Sequence, residues 1–96
     1  MRDYELMVVL NPELDDDGVT AATERIKTLV SGRGGEVTEV NPWGRRRMAY
    51  PIRKFQDGFY SVAKLRLDPS AADPLERNLR QAEPVLRHLL IRLGEE

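Results

Sequence analysis

The chain has 96 residues, no cysteine and a net charge of −1. That length suits one small domain with one core, and the absence of cysteine excludes disulfides, thiolate metal sites and cysteine nucleophiles. The overall charge lacks the basic footprint usual in nucleic-acid-binding domains, yet its distribution is uneven, with carboxylates at Glu13, Asp15, Asp16 and Asp17 and bases at Arg45, Arg46, Arg47, Arg53 and Lys54. Of the 15 basic residues 12 are arginine, the side chain suited to bidentate contact with phosphate and carboxylate. No apolar run is long enough for a membrane span and the N-terminus has no signal-peptide pattern, so a cytoplasmic location is expected.

Tyr4–Leu10 reads as a first strand, stopped by Asn11-Pro12, with Leu6, Val8 and Leu10 on one face and Glu5, Met7 and Val9 on the other. Asp15–Asp17 then open a helix, where carboxylates cap free amides and complement the dipole; they lack the spacing, glycine and distal glutamate of a calcium loop. Val19, Ala22, Ile26, Leu29 and Val30 form its apolar stripe, and the glycines between Gly32 and Gly35 end it. Glu36–Val40 begins a second strand. The odd spacing of Val37 and Val40 predicts a bulge near Asn41-Pro42, and the proline predicts an edge position. Trp43–Ile52 resumes the strand, Arg45 and Arg47 facing one way and Arg46, Met48, Tyr50 and Ile52 the other.

Asp57-Gly58 predicts a turn before a third strand over Phe59–Leu67, with Ser61, Ala63, Leu65 and Leu67 opposite Tyr60, Val62, Lys64 and Arg66. Asp68-Pro69 breaks that strand. A second helix starts between Ser70 and Asp73, with Asp73 as its cap, Pro74 in its first turn and Ala72, Leu75, Leu79 and Ala82 as its buried stripe. Glu83-Pro84 ends it, Val85–Leu93 is the last strand, and Gly94-Glu95-Glu96 is a short polar tail. His88, the single histidine, has no metal-ligand companion and reads as structural.

The order β-α-β-β-α-β is the split βαβ, or ferredoxin-like, α+β arrangement. It implies one domain over residues 1–96, with a four-stranded antiparallel sheet, two helices on one face and the first and third strands central. The other face is then bare, with Met7, Val9, Tyr60, Val62, Leu89 and Ile91 across it and Arg45 and Arg47 along one edge. Such a surface is poorly suited to water. Arginines on an edge strand can reach phosphates, Tyr4, Trp43, Tyr50 and Tyr60 can stack unpaired bases, and the apolar centre suits a protein partner better than RNA. Two partners bound together are therefore the expectation. The plainer alternatives are a solvated arginine edge that blocks sheet-to-sheet pairing, a Trp43 that packs at the bulge and a Tyr4 that caps the core.

Arg2-Asp-Tyr4-Glu5, Asn11-Pro12, Trp43-Gly-Arg-Arg-Arg-Met-Ala-Tyr-Pro-Ile52 and Gly58-Phe-Tyr60 together resemble the bacterial small-subunit ribosomal protein S6 family (bS6). The resemblance runs the whole length, with Met48 where leucine is usual and Val62 and Ala63 where several relatives carry larger side chains. It implies a structural constituent of the small ribosomal subunit that binds 16S rRNA together with ribosomal protein S18. Arg2, Tyr4, Arg45, Arg46, Arg47, Tyr50, Arg53 and Lys54 are the expected RNA-binding residues, and Met7, Val9, Trp43, Tyr60, Val62, Leu89 and Ile91 the expected partner-protein surface. No cofactor, metal, membrane or small-molecule substrate is implied, and the free protein is expected to be a monomer.

Three rivals are weaker. An RNA-recognition-motif module is matched in part by Gly58-Phe59 and Val62, but Ser61 and Lys64 occupy its other aromatic positions. An enzyme of acylphosphatase type needs a glycine-rich phosphate cradle after the first strand, where Asn11-Pro12-Glu13 stands, and no nucleophile–base pair is present. A small-molecule-sensing regulatory domain of the same fold would dimerise through its sheet.

Overall fold

The computed structural model describes residues 1–94; Glu95 and Glu96 of the expected tail lie outside the described residues. Strand β1 spans Arg2–Leu10, helix α1 Asp16–Ser31, β2 Glu36–Ile52, β3 Phe55–Leu67, α2 Ala72–Gln81 and β4 Val85–Arg92. The four strands form one antiparallel sheet in the order β2-β3-β1-β4. The first and third strands are central and the proline-bearing second strand is at an edge, as the sequence leads one to expect.

The core lies between the sheet and both helices. Leu6, Val8 and Leu10 of β1, Leu65 and Leu67 of β3, Ala22, Ile26 and Val30 of α1 and Leu75 and Leu79 of α2 form one buried cluster. Each fully buried leucine there removes enough apolar surface from water to stabilise the fold by about 1.5–3 kcal/mol before entropy is counted. Asp15 caps α1 as expected, its Oδ1 accepting from the Gly18 amide at 2.7 Å. The cap at the second helix is a correction. Asp68, not Asp73, accepts from the Ser70 amide at 3.0 Å and from the Ser70 hydroxyl at 2.8 Å. It thereby starts a 3-10 turn over Pro69–Ala71 that runs into α2, while Asp73 sits in the first turn, where the dipole favours it.

The hairpin between β2 and β3 also differs from expectation. Its turn is at Arg53 and Lys54, whose φ angles are +51° and +72°, and β3 starts at Phe55 rather than Phe59. Asp57 and Gly58 lie inside β3, opposite Arg47 and Arg46. The glycine serves close approach instead of a turn. A Cβ at Gly58 would overlap Val9 Cγ1 and come within 3.0 Å of the Leu10 carbonyl oxygen.

Two bulges in β2 set which way its side chains face. One falls between Val37 and Glu39, so Val37 and Val40 both turn toward the helices, opposite Leu65 and Ala63. The second leaves Trp43 between Pro42 and Gly44, where Gly44 takes φ +81°, the left-handed conformation that such bulges use.

Candidate nucleic-acid and partner interface

Pairing register resolves the helix-free face into rungs that run across the sheet. Gly44, Tyr60, Val9 and Arg87 form one; Asn41, Val62, Met7 and Leu89 the next; Glu39, Lys64, Glu5 and Ile91 a third; Glu36, Arg66 and Asp3 a fourth. The expected apolar centre is thus a band of Val62, Met7 and Leu89 with Ile91 below it and Tyr60 above. Leu89 and Ile91 are both 43% exposed, while Met7, Tyr60 and Val62 are half-buried among their neighbours. Charged rungs close the band at one end, where Arg66 Nε lies 3.8 Å from Asp3 Oδ1.

Two residues expected on an accessible surface are buried. Val9 does point to the helix-free face, but it is only 1% exposed, because it sinks over the bare Cα of Gly58 next to Leu86. Tyr4 is 5% exposed and belongs to the helix-side core. Its even position puts it with Leu6 and Val8, so its ring is a core cap and no stacking platform.

The arginine row is corrected in direction. The extra residue at Trp43 inverts the alternation, so Arg45 pairs with Phe59 and Arg47 with Asp57 on the helix side, while Arg46 shares the helix-free side with Tyr60. All three are exposed. Arg45 donates from Nε to Asp57 Oδ2 at 2.9 Å and lies 5.9 Å from the Phe59 ring centroid; Arg47 Nη2 donates to Gln56 Oε1 at 3.2 Å. Arg46 stacks on Trp43 at 5.8 Å and donates weakly to its carbonyl oxygen at 3.4 Å. Trp43 itself is half exposed. The Arg45–Asp57 ion pair is open to solvent on both sides, and a pair so exposed holds its partners loosely. Arg2 is exposed at the start of β1, opposite Leu67.

Beyond Arg47 the hairpin leaves the regular ladder, which resumes only at Ile52 and Phe55. Its tip meets the start of β4, where Arg53 Nη1 donates to the Glu83 carbonyl oxygen at 3.1 Å and Arg87 lies 5.9 Å from the Tyr50 ring centroid. Met48 is the one buried residue of β2 and lies outside the helix-side cluster. Arg87 is absent from the sequence-derived candidates. Its alternation with Leu89 and Ile91 was the available clue, since all three share the helix-free face.

His88 Nε2 sits 2.9 Å from Glu76 Oε1 in a structural hydrogen bond. Among the described residues no group of three metal-ligating side chains converges, and no helix is long and apolar enough to cross a membrane. A groove of about 240 Å³ between α1 and the β2–β3 side of the sheet is lined mainly by apolar and hydroxyl side chains such as Val19, Thr23, Val40 and Phe59, with Glu24 as its one carboxylate.

Comparison with known proteins places the chain in a family. Residues 3–92 match the family described as ribosomal protein S6. The small ribosomal subunit protein bS6 of Moorella thermoacetica is 41% identical over 96 residues, covering 100% of this chain and 98% of its own. That of Desulforudis audaxviator is 42% identical over 92 residues, covering 96% of this chain and 98% of its own. The crystal structure of 30S ribosomal protein S6 from Thermotoga maritima superposes with a TM-score of 0.87 at 30% identity, covering 95% of this chain and 86% of that one. From fold, motif and full-length similarity alike, the chain belongs to the ribosomal protein S6 family, whose members are structural ribosomal proteins and not enzymes.

Proposed function

We propose that this chain is a single-domain structural part of the small ribosomal subunit in the cytoplasm that binds 16S rRNA together with ribosomal protein S18. The free protein is a monomer. One observation carries the reading: an exposed apolar band over Val62, Met7, Leu89 and Ile91 lies in the same sheet as the exposed Arg45, Arg46 and Arg47 of the edge strand. The band suits a protein partner, because ribose and phosphate leave apolar side chains unsatisfied. The arginines suit phosphates, which fix position without reading sequence. The bulge turns Arg45 and Arg47 away from the band, so RNA and protein can be held at once on different sides of β2. Tyr60 is in the rung above the band, and Trp43 is the bulged residue of β2 beside it.

The test is the salt dependence of binding to a 16S rRNA fragment in the presence of S18. Replacing Arg45 and Arg47 by alanine weakens binding and lowers the slope of log affinity against log salt by about 0.7–0.9 per lost phosphate contact. An unchanged slope would remove the phosphate role.

A further inference from the structure

The end of the β2–β3 hairpin is tied down by contacts that belong neither to the core nor to the arginine row. We infer that residues 48–55 form a strap that closes over one end of the helix-free face. The strap opens as a unit while the rest of the domain stays folded, and its opening uncovers Met48. This goes beyond the proposed function and does not depend on it.

Burial points to the strap first. Among the described residues, Val9 and Met48 are only 1% and 7% exposed, yet both stand outside the helix-side cluster. A small apolar group apart from the main core is typical of the ground beneath a long loop. β2 is an edge strand with no strand beyond it, so Met48 owes its shelter to the way the hairpin folds. Val9 belongs to the rung of Tyr60 and Arg87. The Arg87 guanidinium in turn lies 5.9 Å from the ring centroid of Tyr50, two positions after Met48. The strap therefore reaches from β2 across the end of β1 to β4.

Its ties at the far end are few and open to water. Arg53 Nη1 donates to the Glu83 carbonyl oxygen at 3.1 Å, and Tyr50, Arg53 and Arg87 are all exposed. Water competes for both contacts, so each holds weakly. At the near end the β2–β3 ladder lapses between Arg47 and Ile52, and Pro51 within that gap has no amide to donate. Below the gap, Arg45 holds Asp57 at 2.9 Å and Arg47 holds Gln56 at 3.2 Å. Above it, Ile52 pairs with Phe55 around Arg53 and Lys54, both at positive φ, in the compact two-residue turn of a hairpin. A firm base, a slack middle and a compact tip make a hinge. Opening breaks two exposed contacts and wets one thioether, which places it among the least costly local openings of the domain. The open form presents apolar surface next to the Tyr60 rung that the closed form withholds.

The sulfur content of the chain supplies the test, because it has three methionines and no cysteine. Hydrogen peroxide passes one oxygen to a thioether and departs as water. The free protein is treated with dilute peroxide at several urea concentrations that leave it folded, and sulfoxide at each methionine is read by mass spectrometry after digestion. Met1, 63% exposed, reports unhindered oxidation, and half-buried Met7 reports the same face away from the strap. Met48 reacts more slowly than Met1, with a urea dependence much shallower than that of global unfolding. Tyr50→Ala, Arg53→Ala and Arg87→Ala each speed its oxidation by about two- to tenfold while Met7 keeps its rate. Tyr50→Phe, which retains the ring, behaves as wild type. Three results overturn the inference: Met48 oxidation that keeps pace with Met1, that tracks global unfolding, or that ignores all three alanine substitutions. Neither rRNA nor S18 enters the experiment, so its outcome leaves the proposed function to its own test.

Discussion

β1 and β2 are both antiparallel strands of one sheet, but they use their residues for opposite ends. β1 has nine residues, and Tyr4, Leu6, Val8, Val9 and Leu10 are all buried; β2 has seventeen residues and buries only Met48. The difference follows from position. β1 is paired on both sides by β3 and β4 and is covered by the helices, so an apolar residue there gains from leaving water. β2 is an edge strand with bulges, two prolines and three arginines, and most of its side chains are exposed. The centre of the sheet is buried, and the edge is left exposed.

The sharpest way to break this contrast is a pair of aspartate substitutions. Val9→Asp places an unpaired charge in a site that is 1% exposed and should lower stability by about 3–5 kcal/mol, as read by urea denaturation. Val62→Asp, on the same face but half-buried, should leave the domain folded while S18 binding is lost. Equal unfolding of the two would mean that the apolar band is core. Next in size is Gly58→Ala, whose added methyl has to displace Val9 or the Leu10 carbonyl; about 1–3 kcal/mol of stability is expected to go, visible as a lower melting temperature. A variant as stable as wild type would show that the close approach is relaxed at little cost.

At the edge, Arg45→Ala removes the exposed pair with Asp57 and should change stability by no more than about 0–1 kcal/mol. A larger loss would assign that arginine to the fold. The smallest effect belongs to Asp68, whose carboxyl is held below its ordinary value first by the Ser70 amide and then by the Ser70 hydroxyl. Its contribution is complete above the unfolded carboxylate value of about 3.9 and is lost as pH falls through the lower folded value. Asp68→Asn should therefore differ from wild type in melting temperature at pH 7 and converge with it in strong acid.

How much of this could be read from residues alone depended on whether the governing contact was local. The period-two alternation in β1 assigned Glu5 to Leu10 to the correct faces, and the spacing of Val37 and Val40 announced a bulge. Alternation names a face without saying whether that face is covered, however. Val9 pointed where expected and was hidden by the neighbouring Gly58. The same glycine produced a false turn at Asp57-Gly58, because a glycine needed for a tertiary approach has the same letter as one needed for a turn, and the true turn carries Arg and Lys instead of its usual residues. The arginine row was found at once from composition, while its direction depended on a single extra residue at Trp43. Arg87 was passed over although it alternates with Leu89 and Ile91, because its contact with the Tyr50 ring forms only when the hairpin tip reaches across to β4.

The central strand has one further consequence, for synthesis. Met7 pairs with Leu89 and Tyr4 with Arg92, so opposite ends of the chain lie side by side. A growing polypeptide cannot complete that pairing until β4 has emerged, whereas the β2–β3 ladder joins neighbours in sequence and can close as soon as Leu67 is available. The edge hairpin is therefore able to assemble while the centre of the sheet still waits for β4, and the arrival of β4 is the event that closes the sheet.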